Sequence, residues 1–560
     1  MKVFQRNWVM HPFFFTLFPI LSLMSNNLGE VPFTASLRSV FIGEAAAAGL
    51  LVLLRVLLKD WYRAGLLTSF AALLFFSFGS AFAALGKWQP LEIIWGLLFL
   101  AAFGGIFVFL HRPILGLTRF LNIAGAILLV SCVYGFGCYG VKQLRLNLAP
   151  HEKPVEALLP ATGALLPTAQ PFAAVTDTPT EPAPTQTILA ATTAAQPLAT
   201  VVPAAAVPAA TQTALAAALP DIYYIILDAH ARSDVLSEIY DVDNSAFIER
   251  LRKRGFYVPE ETHSNYGQTA LSLSSSLNMN YLDQLIPMET ETNDRGPLSQ
   301  LIADNAVQRF LKERGYRSIA FSNGFPVTEM NSADEMIQAD DGLNNFEITL
   351  LSESLAGIEL DDPILENYRQ RIITSKEDLK AMVDGPEAAE GPRFIFAHFI
   401  LPHPPFVFNK DGSPRASLAG GDGSAYQGES EEYREGYAEQ VQFADAVADE
   451  LIDTILAHAV RPPVIILQGD HGSGYYLDWE SQEESCLRER FSILNAYYLP
   501  GIKDASLYES ITPVNSFRVI LNAYFNAALP LLPDRSFFST WSHPYDLQEI
   551  TGQMEDRCGE

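Results

Sequence analysis

A chain of 560 residues with a formal net charge of −27 and four cysteines exceeds one ordinary domain and offers no basic face for a nucleic acid. The charge is unevenly spread. Residues 1–147 carry eleven Lys or Arg against four Asp or Glu, residues 148–220 are near neutral, and the acidic excess lies in residues 221–560. Three pieces are therefore expected: a membrane region over 1–147, a linker over 148–220 and a folded outer domain over 221–560.

The first piece holds five apolar runs, each near the roughly 20 residues that cross a bilayer: about Val9 to Leu23, Val40 to Leu58, Gly65 to Leu85, Ile93 to Leu110 and Leu121 to Val141. The first is short, contains Pro19 and resembles a signal peptide, but no small-residue cleavage site follows and more spans come directly after. It is read as a retained helix. Seven positive residues (Lys2, Arg6, Arg55, Lys59, Arg63, Arg112, Arg119) flank one side, against Arg38, Lys87, Lys142 and Arg145 on the other. The positive-inside rule places the N-terminus in the cytoplasm. Five spans of a plasma-membrane protein then deliver the rest of the chain outside. Glu44 is the single mid-span ionisable residue, which argues against a transporter.

Residues 148–220 are rich in Ala, Pro and Thr, without helical or strand periodicity, as expected of an extended spacer. Beyond them helix and strand alternate. DIYYIILDAHAR from Asp221 and RFIFAHFILPHPPF from Arg393 open on apolar strands, and NSAFIERLRKRGFYV and AVQRFLKERGYRSIAF each read as helix, glycine stop and strand. A long helix, about Glu432 to His458, feeds a strand over Val464 to Leu467. The expected fold is an α/β domain with a mostly parallel sheet and helices on both faces, with Asn409 to Gly428 as an insertion. Cys486 and Cys558 are the only cysteines of this region; a disulfide between them would suit an oxidising compartment, and the sequence leaves their pairing open.

Chemistry collects beyond the carboxyl ends of parallel strands. Asp228 follows the first strand, and Asp470 and His471 follow the strand of PPVIILQGDHGSG. Gly267, Gln268 and Thr269 precede a run of small residues that suits a helix, so a hydroxyl stands at a helix start, where free N–H groups favour an anion. Each feature has a plain alternative: Thr269 as an ordinary N-cap, Asp228 as a cap for the next helix. Together they suggest a cation held by carboxylate and imidazole that makes the threonine alkoxide accessible.

Asp228 after a strand, Thr269 at a helix start, His403 in LPHPPF and the GDHG of Gly469 to Gly472 resemble the alkaline phosphatase superfamily, in its membrane-anchored, sulfatase-like and lipoteichoic-acid-synthase-like branch. The resemblance implies one divalent metal (Mn, Zn or Mg) on Asp228, Thr269, Asp470 and His471, with Thr269 as nucleophile and His403 beside the leaving group. His230, Arg232 and His398 become candidates for substrate contact. QTALSL around Thr269 lacks the Cys/Ser-x-Pro-x-Arg of sulfatases proper. Phe399 stands where a second metal would take an Asp of Asp-x-x-x-His, although His398, His263 or His543 would be substitutes. The expected activity is transfer or hydrolysis of a phospho group on a lipid- or glycan-linked ester outside the membrane. The alternatives are an extracellular sulfatase- or phosphatase-type hydrolase and a pseudoenzyme. The expected partners are membrane lipid and a phosphoester or sulfate-ester substrate.

Overall fold

The computed structural model describes residues 8–29, 31, 33–84, 91–109, 115–148, 219–338, 342–415, 430–502, 506–554 and 558. The linker expected over 148–220 lies almost wholly outside the described residues, as does most of the Asn409 to Gly428 insertion. Five apolar helices come first: α1 (His11–Asn26), α2 (Leu37–Leu58), α3 (Trp61–Ala84), α4 (Leu91–Phe109) and α5 (Leu115–Leu148). Among the described residues, three segments are long and apolar enough to cross a membrane: Phe33–Leu58, Trp61–Phe82 and Leu115–Val141. α1 has 16 residues, about 24 Å of helix against a hydrocarbon core of about 30 Å. In α4 the sequence is apolar from Ile93 to Leu110, of which Ile93–Gly105 lies among the described side chains. Helices thus stand at all five expected places, and α1 is shorter than a full crossing.

The outer domain is built on six strands: β1 (Asp221–Leu227), β2 (Arg317–Phe321), β3 (Glu335–Ile337), β4 (Arg393–Phe399), β5 (Pro463–Gln468) and β6 (Asn495–Tyr498), in the order β3-β2-β4-β1-β5-β6. All neighbours pair in parallel except β5 with β6. This is the expected α/β architecture with a mostly parallel sheet. The principal helices are α6 (Ser245–Lys253), α7 (Thr269–Asn278), α8 (Ala306–Lys312), α9 (Asn345–Ser352), α10 (Gly357–Val383), α11 (Glu431–His458) and α12 (Pro513–Phe525).

β1 is central and every one of its seven residues is buried, the mark of a strand covered on both faces. Its two-residue period divides the core. Tyr223, Ile225 and Leu227 join Leu379 of α10 and Val447 and Leu451 of α11. Ile222, Tyr224 and Ile226 join Leu273 and Leu277 of α7, Phe310 of α8 and Phe517 of α12. The face that carries α7 is the one on which the site is assembled.

The outer domain also touches the membrane helices. Phe346 of α9 packs with Ile20 and Met24 of α1, Arg38 of α2 pairs with Glu347 of α9, and backbone bonds run from Gly79 N to Glu353 O at 3.1 Å and from Leu355 N to Phe75 O at 2.8 Å.

Cys486 and Cys558 form a disulfide, Cα to Cα 5.4 Å, across a sequence separation of 72. A cross-link closing a loop of that length contributes about 4 kcal/mol in the chain-entropy account. Replacing both cysteines by serine is expected to lower the melting temperature of the outer domain by several degrees, checked by calorimetry against the oxidised protein. An unchanged melting temperature would show that the tail tethered by Cys558 adds nothing to stability.

Candidate active site

β1 and β5 are neighbours with Ile226 opposite Gln468, so the residues after them emerge side by side. The chain places β4 on one flank of β1 and β5 on the other, which opens a crevice at their carboxyl ends. Asp228 and Asp470 each follow a strand residue, Ile226 or Gln468, by two positions, and His398 lies opposite Ile226 in β4. The two-residue period directs all three toward the α7 face. Ser272 Oγ of α7 donates to the Asp470 carbonyl at 2.7 Å, locking the start of that helix against the end of β5.

The glycines of GDHG are steric requirements. A Cβ on Gly469 would stand 2.5 Å from the His230 carbonyl oxygen, and one on Gly472 would stand 2.0 Å from that of Glu489. Ala229 occupies the left-handed region at φ 65°, at a cost of about 1–2 kcal/mol for a residue with a Cβ. Its N–H donates to Asp470 Oδ1 at 3.0 Å and its carbonyl accepts from Tyr437 Oη at 2.8 Å, so the strained turn is held from both sides.

Asp228, Asp470 and His471 bring ligand atoms within 4.8 Å of one another, and among the described residues they are the one such group of His, Cys, Asp or Glu. Asp228 Oδ2 accepts from His398 Nε2 at 3.1 Å, and Asp470 Oδ1 is used by Ala229. The remaining oxygens, Asp228 Oδ1 and Asp470 Oδ2, are buried and have no hydrogen-bond partner. They lie 3.5 Å and 3.4 Å from His471 Nε2. Thr269 Oγ1 is 2.9 Å from the same nitrogen. His471 Nδ1 donates to the Gly472 carbonyl at 2.9 Å, which leaves the Nε2 lone pair facing the carboxylates.

The protonation states suit this arrangement. Burial, with the Arg490 guanidinium nearby, lowers the His471 pKa to about 4, so the ring is neutral at pH 7. Burial disfavours charge on Asp228, but His403 and His398 more than offset it and hold the carboxyl below the ordinary carboxylate range. Two bare carboxylate oxygens buried beside a neutral imidazole would be costly alone. Three oxygens and one nitrogen turned toward one point fit a divalent cation.

Other candidates stand at different distances from this point. His403 is half-buried, its ring centroid 6.3 Å from that of His471. Its Nδ1 donates to the Pro404 carbonyl at 2.6 Å, and its backbone N–H donates to the Asp228 carbonyl at 3.1 Å. His398, expected as a substrate contact, is buried between Asn323 Nδ2 at 2.7 Å and Asp228 Oδ2; with both ring nitrogens engaged it orients Asp228 instead. His230, also expected as a substrate contact, is fully buried, with Nε2 2.9 Å from Asp445 Oδ1 and Nδ1 3.0 Å from the Ala231 carbonyl. Arg232 is held by Asp234, the Thr262 carbonyl and, at 3.5 Å, His263. Neither His263 nor His543 joins a second group of ligands among the described residues.

Arg490 escaped the sequence reading. Its Nε donates to the Gly267 carbonyl at 2.7 Å and its Nη1 to the Gly472 carbonyl at 3.1 Å, so one buried guanidinium joins the loop before Thr269 to the loop after His471. Glu489 beside it accepts from Ser473 Oγ, Tyr475 N and Tyr476 N at 2.7–2.8 Å. RERF has no pattern that marks it, because its partners come from two distant loops.

Residues 220–518 match the family model of the sulfatases. The chain belongs to the sulfatase family. No curated protein matches it in sequence. Among solved structures it is similar to the zinc complex of the C-terminal periplasmic domain of EptC from Escherichia coli (12% identity, TM-score 0.41, covering 60% of this chain and 93% of that one). It is also similar to the phosphonate monoester hydrolase of Agrobacterium radiobacter (11%, 0.39, 57% and 80%) and to the lipoteichoic acid synthase LtaP from Listeria monocytogenes (12%, 0.35, 57% and 78%).

Two measurements follow from the geometry. Elemental analysis of the purified protein is expected to return about one divalent ion per chain, with Asp228→Asn and Asp470→Asn each retaining less than a tenth of it; full retention in both would dissociate these carboxylates from metal binding. Arg490→Met is expected to keep the metal but lose turnover by about 10²-fold through misplacement of Thr269, read as a fall in kcat with KM little changed. Wild-type kcat in that variant would remove the bracing role.

Proposed function

We propose that the protein is a membrane-anchored, metal-dependent phospho-group transferase or hydrolase that works outside the membrane through Thr269, on a lipid- or glycan-linked phosphoester. One observation carries the reading: two buried, unpartnered carboxylate oxygens and an imidazole lone pair converge beside a hydroxyl at a helix start. A divalent ion on Asp228, Asp470, His471 and Thr269, when bound, lowers the cost of the threonine alkoxide and polarises the phosphoryl oxygens.

The chain's own groups account for the rest. The first-turn N–H groups of α7 have no intrahelical acceptor and are placed to hold a non-bridging oxygen of the phosphoryl group. Thr269 Oγ1 forms the bond to phosphorus as the ester oxygen departs, and His403 Nε2 gives that oxygen its proton, so an alcohol leaves and a phospho-threonine ester remains. In the second half, water or a second alcohol attacks phosphorus, His403 Nε2 takes back a proton, and the bond to Thr269 breaks. Water makes the protein a hydrolase and an alcohol makes it a transferase. QTALSL provides no cysteine for a formylglycine route, which favours the threonine. The Cys486–Cys558 disulfide supports an oxidising compartment outside the cytoplasm, in keeping with the charge distribution around the apolar helices.

Thr269→Ala is expected to lose about 10³-fold or more in turnover of an aryl phosphodiester, while Thr269→Ser retains measurable activity. His403→Ala is expected to lose about 10²–10⁴-fold, less for substrates with good leaving groups. Quenching the wild type during turnover should reveal a phosphorylated peptide containing Thr269 by mass spectrometry. Undiminished activity in Thr269→Ala, or a phosphoryl group trapped elsewhere, would overturn the assignment.

A further inference from the structure

β2 is the other neighbour of β4, so the chain leaving it enters the same crevice as Asp228. Asn323, two residues beyond β2, is buried there, and its amide is bonded at both ends. Oδ1 accepts from the Phe325 N–H at 2.7 Å, and Nδ2 donates to Thr328 Oγ1 at 2.9 Å. Thr328 Oγ1 gives its own hydrogen to the Phe325 carbonyl at 3.1 Å. The backbone of the turn is fixed as well. Arg371 Nη1 donates to the Asn323 carbonyl at 3.1 Å, and the Gly324 N–H donates to Glu329 Oε1 at 3.1 Å. Gly324 stands in the left-handed region at φ 83°, where a Cβ would strike the Arg371 guanidinium.

These bonds have a direction. A backbone N–H only donates, so the oxygen of the amide is the end turned to Phe325, and the nitrogen is the end turned to His398 Nδ1 at 2.7 Å. An amide nitrogen offers no lone pair. His398 Nδ1 must therefore accept and bears no hydrogen, which places the hydrogen of the ring on Nε2, 3.1 Å from Asp228 Oδ2. Donation runs one way, from Asn323 through His398 to Asp228.

That order decides how Asp228 is presented. Oδ2 is occupied by the His398 hydrogen, while Oδ1 is buried without a hydrogen-bond partner, 3.5 Å from His471 Nε2. With the hydrogen on Nδ1 instead, a ring lone pair would face an anionic oxygen, and the carboxylate would lose the bond that fixes its rotation. The same order closes the ring to a cation. Nδ1 is engaged by Asn323 and Nε2 carries hydrogen, so His398 has no free lone pair to give a metal.

We infer that Asn323 is a positioning residue of the metal centre: it fixes the hydrogen of His398 on Nε2 and, through that bond, holds Asp228 with one oxygen toward the cation. The inference rests on the cation reading of Asp228, Asp470 and His471, and is independent of Thr269 and of the substrate. Partners that orient a metal ligand in this way change metal affinity about 10–100-fold when removed.

The test uses the full chain in detergent, freed of metal by a chelator and titrated with Zn²⁺ by calorimetry, with the melting temperature of each metal-free variant measured beside it. Asn323→Leu and His398→Leu are each expected to weaken Zn²⁺ binding about 10–100-fold while the metal-free protein melts near the wild-type temperature. His398→Gln is expected to stay near wild-type affinity, because one planar amide accepts from Asn323 through Oε1 and donates to Asp228 through Nε2. Histidine-selective ¹⁵N spectra of the wild type, with His398 identified by the signal lost in His398→Gln, are expected to show Nδ1 bare and Nε2 protonated; hydrogen on Nδ1 would overturn the inference even if Asn323→Leu does not fold. Wild-type affinity in both leucine variants would overturn the positioning role and leave the cation site standing. Equal loss in His398→Gln and His398→Leu would make the imidazole itself a ligand, which also overturns it. A wild type that binds no Zn²⁺, or an Asp228→Asn variant that binds it equally well, would instead sink the cation reading on which the inference stands.

Discussion

Two carboxylates are buried at adjacent strand ends with one oxygen each left bare, and the rest of the site is organised around that fact. Asp228 and Asp470 would repel one another in a medium poor in water. His403, His398 and the buried Arg490 offset part of that charge, while His471 is held uncharged and His398 and the Ala229 N–H satisfy only the outer oxygens. The two bare oxygens still cost stability in a buried site, and the arrangement is understandable as a seat for a cation. Thr269 Oγ1 stands at the same place, 2.9 Å from His471 Nε2.

Holding the pair requires bracing from outside the ligand set. Arg490 ties the Gly267 loop to the Gly472 loop, Tyr437 and Asp470 hold the left-handed turn at Ala229, and Ser272 fastens α7 to the end of β5. These bonds are buried and reach across 18 to more than 200 residues of chain. Side chains supported in this way lose little freedom when a substrate arrives, which is what accurate placement of a nucleophile demands.

The contact between α9 and the membrane helices gives the anchor a further part in the architecture. Glu347 caps its own helix through Asn344 and also receives Arg38, so one carboxylate fastens the outer domain to α2. Beneath that ion pair glycine and alanine of α2, α3 and α4 line a cleft of about 1120 Å³.

The ends of β1 and β5 were legible from sequence because an apolar strand that stops abruptly at Asp228, or at Asp470 and His471, marks where the buried scaffold ends. The helix start at Thr269 was legible from a glycine before a helix-compatible run, and the parallel sheet from alternating helices and strands. Other assignments needed the tertiary structure. His398 and His230 lie beside strand-end chemistry in sequence, yet packing turns them to Asn323, Asp228 and Asp445, and a one-dimensional pattern does not say which way a buried ring faces when both faces of a strand are covered. Arg490, Asn323 and Glu347 left no local signal because each acts through atoms brought from distant segments. Local sequence sets the period and the apolar boundary; which unsatisfied atoms meet, and at what distance, is decided only when the layers close.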